Sequence, residues 1–138
     1  RRSGIHTRED LARQCLLHQS SRPMQWAEWF EQVKIAAPHA MRGPRFEQFA
    51  MLAEAAANGL GVALVPKFLV EEELASDRLI VLFREALITQ RAYYVVVPET
   101  GAENRLVQSF RDWLVGEAAA ARPRGQTKSR EPAAAVVR

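Results

Sequence analysis

An α/β fold with a largely parallel or mixed sheet is predicted by two features of this 138-residue sequence. Segments with helical apolar spacing alternate with short apolar strands along the whole chain, the order that builds sheets flanked by helices. One of those strands, Val62-Ala63-Leu64-Val65, is apolar without a break. Unbroken rather than alternating apolarity belongs to strands covered on both faces.

The elements follow in order. Thr7-Arg8-Glu9-Asp10-Leu11-Ala12-Arg13 reads as one or two helical turns, with Thr7 as candidate N-cap and acids in the first turn. Cys15-Leu16-Leu17-His18 is a short buried strand, and Gln19 to Pro23 a polar turn into a helix. In that helix Trp26, Trp29, Phe30 and Val33 stand at i, i+3, i+4 and i+7, one aromatic stripe for the core. Pro38 to Gly43 reads as extended, since Pro44 bars an earlier helix start. From Phe46 a second helix runs alanine-rich to Asn58-Gly59, where glycine is free to take the left-handed cap conformation. Lys67 to Ala75 is a short helix, Leu79 to Phe83 and Ala92 to Val97 are strands, and Ala102 to Glu117 is the last helix. Its Leu106, Val107, Phe110, Trp113 and Leu114 are read as inward.

Composition narrows the classes. With 48% hydrophobic and 25% charged residues the chain is neither wholly disordered nor a disulfide scaffold, and the single Cys15 cannot form an internal bridge. No apolar run reaches the roughly 20 residues of a membrane helix, because Glu54 and Asn58 interrupt the best stretch. The start lacks a secretory core and an initiator methionine, so the chain is read as a fragment. The pI of about 9.5 is a property of the tail. From Arg122 onward five basic residues face Glu131 alone, a net of +4, whereas residues 1–121 hold 14 basic and 15 acidic residues, a net of −1. The body offers no phosphate-neutralising surface, and the tail reads as an unstructured, solvated end.

Motifs for chemistry are few. His6, His18 and His39 lie 12 and 21 residues apart with no cysteine or carboxylate at ligand spacing, so no metal site is expected. Glu71-Glu72-Glu73 is a solvated face. Gly59-Leu60-Gly61 precedes a strand, the wrong order for a dinucleotide loop. No serine sits in a nucleophile elbow, and Cys15 has no activating surroundings. No catalytic residue and no cofactor are assigned.

The stretch RFEQFAMLAEAAANGLGVALVPKFLVEEELASDRLIVLF, residues 45–83, is more specific. A helix ending AA-x-GLGVAL-x-P, a short helix ending EELA, and then RLI resemble the effector-binding domain of LysR-type transcriptional regulators. EDLARQCLLHQSSRPMQWAEWF before it, and AYYVVVPE with RLVQSFRDWLVGEA after it, agree in order and spacing. The whole is similar to the branch holding the glycine-cleavage activator and the β-lactamase regulator. Lys34 and Asp77 stand where glycine is common in that family, at turns wanting positive φ.

The resemblance implies a periplasmic-binding-protein-like (type 2) architecture of two α/β subdomains. Residues 1–13 would be linker and short helix, 14–90 subdomain two, 91–118 the returning strand and closing helix of subdomain one, and 119–138 the basic tail. The segment from Ala92 onward would then lack its sheet partners and expose apolar area. The implied function is binding of a small metabolite by a cytoplasmic regulator, a homodimer or homotetramer. Promoter DNA would be touched only by an N-terminal helix-turn-helix outside this chain, and no membrane is involved. A solute-binding or transport-associated protein of the same fold is the alternative.

Effector-contacting candidates come from the turns after strands, where helix N-termini and backbone N–H groups converge. They are Gln19 and Ser20 in one turn, Pro44, Arg45 and Phe46 in the other, and Pro66 after the apolar strand. Ser20 and Arg45 are expected to hold polar or carboxylate groups, with Phe46 and Pro66 as apolar wall. The resemblance adds Tyr93 and Tyr94, one of whose hydroxyls would reach the effector. The competing reading makes Ser20 or Ser21 a helix cap, pairs Arg45 with Glu28 or Glu47, places Phe46 in the core and makes Tyr93 and Tyr94 packing aromatics.

Overall fold

The computed structural model describes residues 4–88, 94–120 and 132–137. The chain divides into two compact units, Arg1–Thr89 with Pro132–Arg138, and Gln90–Glu131. The first contains α1 (Arg8–Leu11), β1 (Leu16–Gln19), α2 (Gln25–Gln32), β2 (Arg45–Phe46), α3 (Phe49–Ala57), β3 (Val62–Val65), α4 (Glu71–Ala75), β4 (Val81–Ile88) and β5 (Pro132–Val137). These strands form one five-stranded sheet in the order β2-β1-β3-β5-β4. β1 runs parallel to both β2 and β3, and β5 is antiparallel to β3 and β4.

The sheet is buried on both faces around β1 and β3, as the unbroken apolar run predicts. Leu16, Val62 and Leu64 pack on the α2 side with Trp26, Trp29 and Phe30. Leu17, Ala63 and Val65 pack on the α3 side with Leu52, Ala53 and Ala56. Strand neighbours point to opposite faces, so one strand serves both cores. On α2, Trp26 and Trp29 meet edge to face at 6.1 Å, and Trp29 and Phe30 at 5.2 Å. Both indoles also have an N–H to satisfy, as a buried tryptophan must. Trp26 Nε1 donates to the Leu17 carbonyl and Trp29 Nε1 to the Glu85 carbonyl, each at 2.9 Å, tying α2 to β1 and β4. Gln32 completes the tie: its amide donates to the Ala86 carbonyl and accepts from the Ile88 N–H, both at 2.9 Å. It offers the outer edge of β4 the pairing that a further strand would supply.

Helix ends follow local rules. Thr7 and Asp10 form a reciprocal capping box on α1. After α3, Gly59 takes φ 76° while its N–H bonds the Ala56 carbonyl and Leu60 N–H bonds that of Ala55, a Schellman motif. After α2 the same bonding places Lys34 at φ 58°, and after α4 Asp77 stands at φ 55°. Both are the positions where the sequence carries a side chain in a glycine turn.

Several expectations are revised. The second helix begins at Phe49, because Arg45–Phe46 pair with His18 and Gln19 as β2. Residues 38–41 form turns rather than an extended run. Lys67–Leu69 is a separate 3-10 turn before α4, and β4 extends to Ile88. Cys15 is exposed, just ahead of the buried strand. The tail differs most: residues 132–137, read as unstructured, form β5 between β3 and β4. Composition could not indicate this, since a strand of small residues depends on neighbours with open backbone groups.

In the second unit, α5 (Arg105–Ala120) is preceded by Asn104, whose side chain accepts from Leu106 N–H at 2.9 Å. No residue of α5 is buried; Leu106, Phe110 and Trp113 are exposed, although the Phe110 and Trp113 rings lie 5.7 Å apart. The inward face read for this helix is therefore apolar but uncovered. Of the strand expected over Ala92–Val97, residues 94–97 have no strand assignment, and Ala92 and Tyr93 lie outside the described residues. Extended backbone becomes a strand only with a neighbour to pair with.

Candidate functional site

β1, β2 and β3 are parallel, so their carboxyl ends share one edge of the sheet, and α2 and α3 both begin there. From β1 the chain leaves through α2 toward β2, while from β3 it leaves through α4 on the α3 side. Adjacent strands that send the chain opposite ways open a crevice at their carboxyl ends, where open α/β sheets take ligands. Gln19-Ser20 and Val65-Pro66 stand at the carboxyl ends of these two strands, with Phe46 at the end of the next.

Of the eight candidates, Gln19, Ser20, Phe46 and Pro66 stand at or just past these carboxyl ends, whereas Arg45 is the first residue of β2 and Pro44 precedes it. Gln19 is buried and committed within the protein: its Nε2 donates to the Glu47 carbonyl at 2.9 Å and its Oε1 accepts from Ser21 Oγ at 2.6 Å. Ser20 is exposed; its N–H bonds the Phe46 carbonyl at 2.7 Å, and among the described residues its hydroxyl has no partner. Arg45 is exposed, with no ion pair or side-chain hydrogen bond among the described residues. The pairing with Glu28 or Glu47 is not formed. Neither serine caps α2, whose N-cap position is Met24. Phe46 is half-buried and packs against the α3-side core, Pro44 is exposed, and Pro66 is buried.

The N-cap residue of α3, Gln48, makes no side-chain cap bond to the helix's first-turn N–H groups. Arg22 stacks over Phe49 at 5.2 Å beside this end. The edge thus offers donors and positive charge, suited to a small anionic or polar group. Tyr94 belongs to the other unit and is 80% exposed; Tyr93 lies outside the described residues. Two features escaped the sequence reading, the Gln19 clamp and the pairing of His18 with Arg45 across β1 and β2. A glutamine and a histidine ending an apolar strand were the available signals. Among the described residues no group of three His, Cys, Asp or Glu side chains is placed to hold a metal ion.

Comparison with known proteins places this sequence in a family. The pattern of the LysR substrate binding domain matches residues 1–119. The glycine cleavage system transcriptional activator of Escherichia coli (strain K12) is 34% identical over 116 residues, 84% of this chain and 38% of that protein. The HTH-type transcriptional activator AmpR of Rhodobacter capsulatus is 34% identical over 110 residues, 80% of this chain and 37% of that protein. The HTH-type transcriptional regulator TrpI of Pseudomonas aeruginosa is 44% identical over 69 residues, 50% of this chain and 23% of that protein. The chain thus spans less than two-fifths of the length of these relatives. No solved structure matches it significantly.

Proposed function

The chain belongs to the LysR substrate-binding domain family, and from that premise we propose that it senses a small polar or carboxylate metabolite and adjusts promoter binding by the whole regulator. The match over residues 1–119 carries this reading, and the helix–sheet architecture is compatible with the type 2 periplasmic-binding-protein-like fold. The relatives are named as transcriptional regulators and activators, which favours sensing over transport or catalysis. No helix among the described residues is long and apolar enough to cross a membrane. A regulator of this kind works where its promoter is, in the cytoplasm, as a homo-oligomer whose DNA-reading part lies outside these 138 residues. Residues 14–90 act as the second subdomain, and 91–118 as the returning strand and closing helix of the first.

In this reading Ser20 and Arg45 hold the polar end of the effector, with Phe46 and Pro66 as its apolar wall. One of Tyr93 and Tyr94 contributes a hydroxyl. The guanidinium of Arg45, exposed and without an ion pair among the described residues, supports the assignment, because a charge not engaged within the protein is available to a ligand. Effector binding can shift the assembly only through different affinity for its two arrangements. The test is a promoter reporter driven by the full-length regulator and dosed with amino acids and small carboxylic acids. Arg45→Ala should raise the half-maximal dose at least about tenfold, the worth of one charge-assisted hydrogen bond. An unchanged dose–response would sink the assignment.

A further inference from the structure

The strand leading to the candidate turn carries a histidine that the effector reading leaves unused. His18, 2% exposed, pairs in register with Arg45 of β2. Its Nε2 lies 3.0 Å from the Arg42 carbonyl oxygen, while its buried Nδ1 has no partner among the described residues. A carbonyl oxygen only accepts, so Nε2 carries the proton and Nδ1 keeps its lone pair. The backbone beside the ring is held close. A Cβ at Gly43 would stand 3.3 Å from His18 Cδ2 and 1.9 Å from the Leu16 carbonyl oxygen, so only glycine fits there. His18 N–H bonds the Pro44 carbonyl at 2.9 Å. Of the contacts that clamp residues 42–44 onto β1, the ring hydrogen bond alone depends on which side chain occupies position 18.

We infer that His18 is a positioning residue: fixed as the neutral Nε2–H tautomer, it latches residues 42–44 onto β1 and thereby sets where Arg45 and Phe46 stand at the sheet edge. The consequence for effector contact rests on the function proposed above; the latch itself does not. An apolar residue of similar size would fill the space and leave the Arg42 carbonyl without its donor.

The test uses the whole 138-residue chain. Two-bond proton–nitrogen correlation on labelled histidine should show the neutral Nε2–H tautomer of His18 at neutral pH. Native-state amide exchange is then compared in wild type, His18→Leu and His18→Gln. The leucine variant should exchange the residue-18 and Ser20 amides about tenfold faster, with the Val62 amide, bonded to the Cys15 carbonyl, unchanged. Glutamine, which returns an N–H donor, should restore the wild-type rates. A charged ring at neutral pH, an Nδ1–H tautomer, unaltered exchange in His18→Leu, or a glutamine variant no better than leucine would each overturn the latch. Equal acceleration at Val62 would do so as well, since it marks a general packing role. Should the leucine variant fail to fold, the tautomer and the glutamine variant decide. Failure of the effector reading looks different: Arg45→Ala leaves the promoter response unchanged while the tautomer and exchange results stand.

Discussion

Gln19 donates from Nε2 to the Glu47 carbonyl oxygen across 2.9 Å, joining the end of β1 to the turn after β2. Its other amide atom accepts from Ser21, so one buried side chain braces both loops of the candidate site. Gln19 shapes this edge from within.

Removing that brace should cost more than one net hydrogen bond, because it strands a backbone carbonyl. Gln19→Ala is expected to lower stability by about 1–3 kcal/mol. The shift in urea midpoint at constant slope measures it, and a loss below a few tenths of a kcal/mol would show that water replaces the amide.

Lys34 and Asp77 hold left-handed backbone at helix ends, with φ of 58° and 55°. A side chain in that conformation is strained, less so for aspartate, which visits it more readily. Lys34→Gly should therefore stabilise the chain by about 1 kcal/mol, and Asp77→Gly by less. Thermal melts of the two variants give the order, and a destabilised Lys34→Gly would contradict it.

Gly61 faces the opposite constraint. A Cβ there would lie 2.2 Å from the Cys15 carbonyl oxygen, where β1 and β3 begin to pair. Backbone cannot yield as a flexible side chain can, so Gly61→Ala should destabilise by about 1–3 kcal/mol or more. Denaturant unfolding checks this, and a variant as stable as wild type would mean that the strands separate freely.

Acidification should weaken the fold in two windows. Burial first, then the charge of Arg45, hold His18 below its ordinary 6.5, although the Arg42 carbonyl pulls the other way. The unfolded chain therefore binds this proton first. Stability is complete above about pH 6.5 and falls as pH drops toward the folded value. The second window is carboxylate. Backbone N–H groups of His6 and Thr7 hold Asp10 below its usual range, and Arg78 does the same for Glu54. Their contribution is present above about pH 4.5 and is lost below it. His18→Gln should flatten the upper window alone in a pH series of urea midpoints. A slope that persists there assigns it to another group.

Local features were legible in the sequence because their causes lie within one turn or one strand. The Trp26, Trp29 and Phe30 stripe declared a core face, Val62–Val65 declared burial on both sides, and Gly59 declared a helix end. The turn after β1 was also visible, since strand followed by helix marks where backbone N–H groups converge, whereas Arg45–Phe46, read as a second turn, pair with β1 as a strand. Tertiary structure alone decided what meets what. It set Gln19 on Glu47 and His18 on Arg42, carried β4 on to Ile88, and placed residues 132–137 between β3 and β4. On α5 Leu106, Phe110 and Trp113 are exposed, as expected for a segment from Ala92 onward without its sheet partners, although the same periodicity on α2 is buried. Periodicity reports that a face is apolar. Which surface covers it, and which carbonyl a buried amide or imidazole finds, depends on segments distant in the chain being brought together, and no local pattern records that.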